Sequence, residues 1–196
     1  MFWLQYHLKE KLNNLKIIAN TNFGEIMITV FSRPRCKESK EIAEILKKHG
    51  ASVITESAVF SGIGDFSVLF LSKPIKIFGN KNIILIADNF EYLSKTKIPI
   101  GTIGICECGA KKPLKTFEKN KLQTITCGLN LKSTVTLSSI NENSMLVCLQ
   151  RSLVSLFGQT IEPADFKIEL SNNYRPFSVM AACIILLLLE IKPEKF

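Results

Sequence analysis

Histidine is scarce in this 196-residue chain. Only His7 and His49 are present, and neither stands at ligand spacing from the one tight cysteine pair, Cys106-Glu107-Cys108. A zinc centre takes about four ligands, usually as two spaced pairs. No metal is therefore expected, and two thiols near a strand end account for the pair. A long hydrophobic run is missing too. The longest, Val179 to Leu189, has eleven residues, whereas a membrane span needs about 20. It reads as a buried helix, and no membrane partner is expected. Met1 to His7 lacks a basic lead-in, and Lys9, Glu10 and Lys11 interrupt any apolar stretch, so no secretory leader is expected. Cysteines 36, 106, 108, 127, 148 and 183 then read as reduced thiols of a cytoplasmic protein.

What is present describes a folded core. Apolar residues make up 46% and charged residues 21%, a globular balance, and the length suits one domain. Lys+Arg 25 against Asp+Glu 17 gives +8, which invites a nucleic-acid or anionic-ligand reading. The densest basic stretch holds Lys111, Lys112, Lys115, Lys119 and Lys121. Its single aromatic is Phe117, and without aromatic interleaving a solvated loop or helix face is the simpler account. No specific nucleic acid is expected.

Leu4, Leu8, Leu12 and Leu15 predict a short amphipathic helix over residues 3–15. A strand follows Gly24, running from Glu25 to Phe31. After a turn at Pro34, Ile42, Ala43, Ile45 and Leu46 mark one face of a helix stopped by Gly50. Ala51 to Thr55 is the next strand, and together these make a strand–helix–strand unit with parallel pairing. Strands are expected at Phe66–Leu71 and Asn82–Ala87, a short helix near Asn89–Lys95, and a strand in Ile98–Cys106 broken by Gly101 and Gly104. From Leu122 the segments become short and β-branched: 124–127, 134–139, 145–150, 153–157 and 165–170, with turns at Gly128, Asn141 to Asn143 and Gly158. They predict hairpins. A helix over about 177–190, apolar on every face, should be deeply buried. The expected architecture is one α/β domain over 1–196: an N-terminal helical segment (1–23), a mainly parallel sheet with flanking helices (24–121), an antiparallel β-hairpin extension (122–172) and a C-terminal buried helix (173–196).

Two segments resemble the central domain of the Mur ligase and folylpolyglutamate synthetase superfamily. Ile28-Thr29 followed by Ile42-Ala43-Glu44-Ile45-Leu46 and Gly50 is similar to that family's opening strand, phosphate loop and helix. Thr124-Ile125-Thr126-Cys127-Gly128-Leu129, then 134–140 and Met180-Ala181-Ala182, is similar to its later strand, hairpins and last helix. The resemblance implies the fold, and it would imply an ATP-dependent ligase, but the residues for that chemistry are absent. A phosphate loop needs glycines whose N–H groups converge on phosphate, a Lys and a hydroxyl for magnesium. Here Val30-Phe31-Ser32-Arg33-Pro34-Arg35-Cys36-Lys37-Glu38-Ser39 holds no glycine, and Pro34 removes one N–H. The family's His-Asn pair is replaced by Tyr174-Arg175. Residues 30–35, Leu46 and 50–53 are also similar to the opening of uroporphyrinogen-III synthase, a match confined to about 30 residues of generic strand–helix–strand.

Arg33, Arg35, Lys37, Ser39 and Lys40 cluster at the turn after the first strand, where a helix N-terminus favours negative charge. They form either an anion site or a solvated basic turn. Gly62-Ile63-Gly64 and Gly101–Gly104 lack the context of nucleotide loops, and Glu162 with Asp165, or Ser138-Ser139, has no acid/base or nucleophilic setting. The expected function is a non-catalytic Mur-ligase-like domain, used as a binding or scaffolding module for a protein partner or a second copy, without cofactor. The alternative is a small enzyme or ligand-binding protein that takes a phosphorylated or anionic metabolite at the basic turn.

Overall fold

The computed structural model of the protein describes residues 26–73, 77, 81–89 and 98–196. The helix expected over 3–15 lies outside the described residues, as does nearly all of the one near Asn89–Lys95. The elements run β1 (Ile26–Phe31), α1 (Lys37–Lys48), β2 (Ser52–Ile54), β3 (Val59–Phe60), β4 (Phe66–Leu71), β5 (Asn82–Ile86), β6 (Ile103–Glu107), α2 (Lys111–Lys119) and β7 (Gln123–Cys127). They continue with β8 (Val135–Asn141), β9 (Ser144–Leu149), β10 (Leu153–Val154), β11 (Thr160–Ile161), β12 (Ala164–Glu169) and α3 (Pro176–Leu188).

Ten strands form one sheet in the order β12-β9-β8-β7-β6-β5-β1-β4-β2-β3. From β2 to β8 the order holds seven strands in parallel; β9 is antiparallel to β8 and β12 to β9, and β3 is antiparallel to β2 at the other edge. The chain is thus an α/β fold with a mainly parallel sheet and an antiparallel extension, as its sequence predicts. Two details differ. β1 and β2 are not neighbours: β4 sits between them and pairs with β1 over six residues and with β2 over three. The antiparallel region also begins later than residue 122, at the β8–β9 hairpin. β7 runs parallel to β6, with Ile105 opposite Ile125, because Lys111–Lys119 is a helix that carries the chain back across the sheet. Of the strand expected over 153–157, only Leu153–Val154 pairs, with β11 and apart from the main sheet.

Alternation along the central strands sorts the core into two layers. Ile28 and Val30 of β1, Ile83 and Leu85 of β5, and Ile105 of β6 face α1 and α3. Phe31, Ile84, Ile86 and Cys106 face α2 and its Phe117. Strands buried on both faces need no polar alternation, which is why β5 reads Asn-Ile-Ile-Leu-Ile. Each fully buried Leu, Ile or Phe contributes about 1.5–3 kcal/mol. α3 is apolar all round because ten of its thirteen residues are buried between α1 and the sheet. α1 buries Ile42, Ile45 and Leu46 and stops where Gly50 takes φ +92°.

Gly104 does not break β6; it lies within the strand, opposite Ile84 and Thr124. A Cβ there would sit 2.8–2.9 Å from the ring of Phe117, which is wholly buried. The bare backbone is what lets α2 lie close to the sheet. Gly104→Ala should cost about 1–3 kcal/mol by overpacking, read as a lower urea midpoint. Adding Phe117→Leu should return part of that loss.

Candidate functional site

β1 delivers the chain to the carboxyl edge of the parallel sheet, where open α/β sheets place ligands. The backbone of the turn that follows is largely engaged. Ser32 N–H donates to the Leu71 carbonyl (3.1 Å), Cys36 N–H to the Arg33 carbonyl (3.2 Å), and Pro34 has no N–H. Arg33 N–H donates to Asp88 Oδ2 at 2.8 Å, and its guanidinium Nε reaches the same oxygen at 3.4 Å. Asp88 follows β5, so a carboxylate from the neighbouring strand end occupies the side of the turn toward β5.

Residues 33–36 form a tight turn with Pro34 second and Arg35 third. Arg35 has φ +65°, a position that a turn of this kind normally gives to Gly. Cys36 caps α1 without a side-chain hydrogen bond to the helix N–H groups. Its thiol donates to Glu38 Oε2 (3.2 Å). Burial pushes the thiol above its ordinary value, more than hydrogen bonds from Ser39 lower it, so Cys36 stays protonated at neutral pH and is no nucleophile.

Four of the five candidate residues, Arg33, Arg35, Ser39 and Lys40, line one open pocket of about 370 Å³ between α1 and the ends of β2 and β4. Lys37 is exposed and does not line it. Ser39 is 6% exposed, and its buried hydroxyl lies against the Cys36 sulfur.

A second polar cluster was not foreseen. Glu38, Glu41 and Glu44 repeat every third residue along α1 and meet the start of α3. Arg175 pairs with Glu38 (3.2 Å) and Glu41, and Ser178 donates to Glu41 (2.6 Å). Tyr174 donates to Glu44 (2.7 Å), and Lys48 donates to the Tyr174 hydroxyl (2.9 Å). The Glu spacing is visible in the sequence, but its partners are about 130 residues away. Tyr174 and Arg175, at the place where the resembled family carries His-Asn, here clamp α3 to α1.

The cysteine pair ends β6. Cys106 is buried toward Phe117, and burial pushes its thiol up to about 12. Cys108 N–H donates to the Cys127 carbonyl (2.8 Å). Among the described residues, no three His, Cys, Asp or Glu converge on a point, and no helix is long and apolar enough to cross a membrane.

No family model and no curated protein matches the sequence. Solved structures do match the fold. A UDP-N-acetylmuramate:L-alanyl-gamma-D-glutamyl-meso-diaminopimelate ligase from Neisseria meningitides superimposes with TM-score 0.57 at 9% identity, over 90% of this chain and 65% of that one. A murein peptide ligase from Psychrobacter arcticus 273-4 gives 0.53 at 8%, over 88% and 45%. MurF from Acinetobacter baumannii gives 0.52 at 10%, over 86% and 43%. The fold is therefore Mur-ligase-like, and the chain spans about half to two thirds of the length of these enzymes.

Two outcomes test the geometry. Left-handed backbone at a non-glycine residue costs about 1–2 kcal/mol, so Arg35→Gly should raise the melting temperature. The Tyr174 hydroxyl holds the Glu44 carboxyl below the usual carboxylate range, helped by Lys48 and Asn172. That contribution is present above the ordinary Glu value and is lost as pH falls through the lowered one. Tyr174→Phe should move Glu44 upward in an NMR titration.

Proposed function

We propose that this chain is a non-catalytic Mur-ligase-like domain that serves as a binding or scaffolding module. One observation carries the reading: the backbone donors of Ser32, Arg33 and Cys36 in the turn after β1 are already used. A phosphate loop holds nucleotide through N–H groups that converge on it. Here the N–H of Arg33 goes to Asp88, those of Ser32 and Cys36 go to carbonyls, and Pro34 has none. A triphosphate approaching beside β5 would meet the Asp88 carboxylate within hydrogen-bond distance of the turn. The Arg175 clamp supports the same reading, since guanidinium and carboxylates satisfy one another at the start of α3. The module's partner is another protein or a second copy of the chain, and a cytoplasmic location goes with the six free thiols.

A second reading, an anionic metabolite held at the basic turn, is favoured by the buried hydroxyl of Ser39 at the base of α1.

Titration calorimetry with magnesium and ATP, beside a phosphate-release assay, tests the first reading. The expected result is no saturable heat and no release above a protein-free blank. ATP binding in the micromolar range would overturn it.

A further inference from the structure

The two edges of the main sheet differ. β3 ends one edge with two residues, a length too short to template pairing with another chain. β12 ends the other with six, Ala164 to Glu169, paired to β9 on one side only. Backbone direction alternates along it. Leu170 N–H donates toward β9, to the Asn143 carbonyl (2.9 Å), whereas Glu169 and Ser171 N–H donate outward to the Glu194 and Phe196 carbonyls (2.9 and 2.7 Å). Asp165 and Lys167 alternate in step with Glu169, so their N–H and C=O groups also point outward. Among the described residues no other segment bonds to those groups. Residues 194–196 cover the edge from Glu169 onward, and at the other end the chain bends at Pro163, which has no N–H. The open stretch is therefore centred on Phe166.

We propose that β12 is a homodimer edge: two copies of the chain join antiparallel across a two-fold axis at Phe166, with Asp165 of each opposite Lys167 of the other. The proposal rests on the scaffolding reading above and names a second copy as its partner. In that register Asp165 and Lys167 form hydrogen-bonded pairs, which use the outward donors and acceptors of both residues. The side chains agree with it. Ile168 belongs to the core and Phe166 packs against it, so Asp165 and Lys167 stand together on the opposite face. Both are exposed, and no ion pair among the described residues holds either. Cys148, opposite Asp165 on β9, brings to its carboxylate only a thiol that burial keeps neutral, so that charge stays uncompensated. Edges are commonly protected by charge that repels a copy, above all Lys. Here the signs alternate, and an axis at Phe166 sets each charge against its opposite. An axis at Lys167 would oppose Lys167 to itself and bring Asp165 to Glu169, where residues 194–196 already lie. The charges thus select one register. The half-buried Phe166 rings meet at the axis and cover each other's exposed part.

Sedimentation equilibrium of the full chain, from low micromolar to submillimolar concentration, tests this. The expected result is a reversible monomer–dimer equilibrium that weakens with salt. Asp165→Lys or Lys167→Asp alone sets like charges opposite one another and should weaken dimerisation about tenfold or more. Circular dichroism of either variant should match the parent, because both positions are exposed. Mixing the two variants restores opposite charges at both pairs, so a heterodimer should form at concentrations where neither variant dimerises alone. The chain carrying both substitutions, with its charges exchanged, should dimerise like the parent. A monomer at every concentration overturns the proposal, as does a dimer indifferent to both reversals or a pair of variants that do not combine. Each of those outcomes leaves the scaffolding reading standing with another protein as its partner, whereas ATP binding would overturn that reading and leave the dimer.

Discussion

Burial of β1 on both faces is the constraint on which the other features depend. Ile28 and Val30 look toward α1 and α3, while Phe31 looks toward α2. A strand so enclosed can leave the sheet only through its end. The turn at 32–36 therefore opens at the carboxyl edge, with β5 on one side and β4 on the other. α1 must then return over the layer containing Ile28. Its first turn, and with it Ser39 and Lys40, comes to the rim of the pocket as a result of core packing.

The rim divides electrostatically. On the β5 side, Asp88 accepts the Arg33 amide and draws its guanidinium. On the β4 side, Arg35 and Lys40 line a pocket whose single acid is already held by Ser72. In the Arg33–Asp88 pair the guanidinium is exposed while the carboxylate is nearly buried. The effect of the pair is to tie one of the pocket's cations to a carboxylate and to place a negative charge where a phosphate loop would want a positive field. Of the residues behind the overall charge of +8, Lys111, Lys112, Lys115 and Lys119 lie along α2 on the opposite layer.

The α1–α3 seam shows how a buried apolar helix is held in register. α3 has no polar stripe of its own to choose an orientation. Its hydrophobic contacts are strong and non-directional, so direction comes from Tyr174, Arg175 and Ser178 meeting Glu38, Glu41 and Glu44. These bonds join segments far apart in the chain, and they fix which face of α3 meets α1.

Periodicity and turn residues in the sequence determined most elements, because hydrophobic spacing reports local backbone geometry directly. The helix over Ile42–Leu46, the apolar strands and the buried final helix all follow from that rule. The Mur-ligase-like fold was legible in Ile28-Thr29 and Thr124-Ile125-Thr126, as was the absence of glycine from residues 30–39. Only the tertiary structure decided the strand order, with β4 between β1 and β2, and the role of Gly104, which looked like a strand break until Phe117 was seen against it. It alone seated Asp88 on the turn, separated Lys37 from the pocket that Arg35, Ser39 and Lys40 line, and joined Arg175 to α1. The physical reason is distance along the chain. Local patterns record what a residue does with its neighbours within about one turn or one strand, whereas pairings across 55 or 134 residues exist only after the sheet has closed.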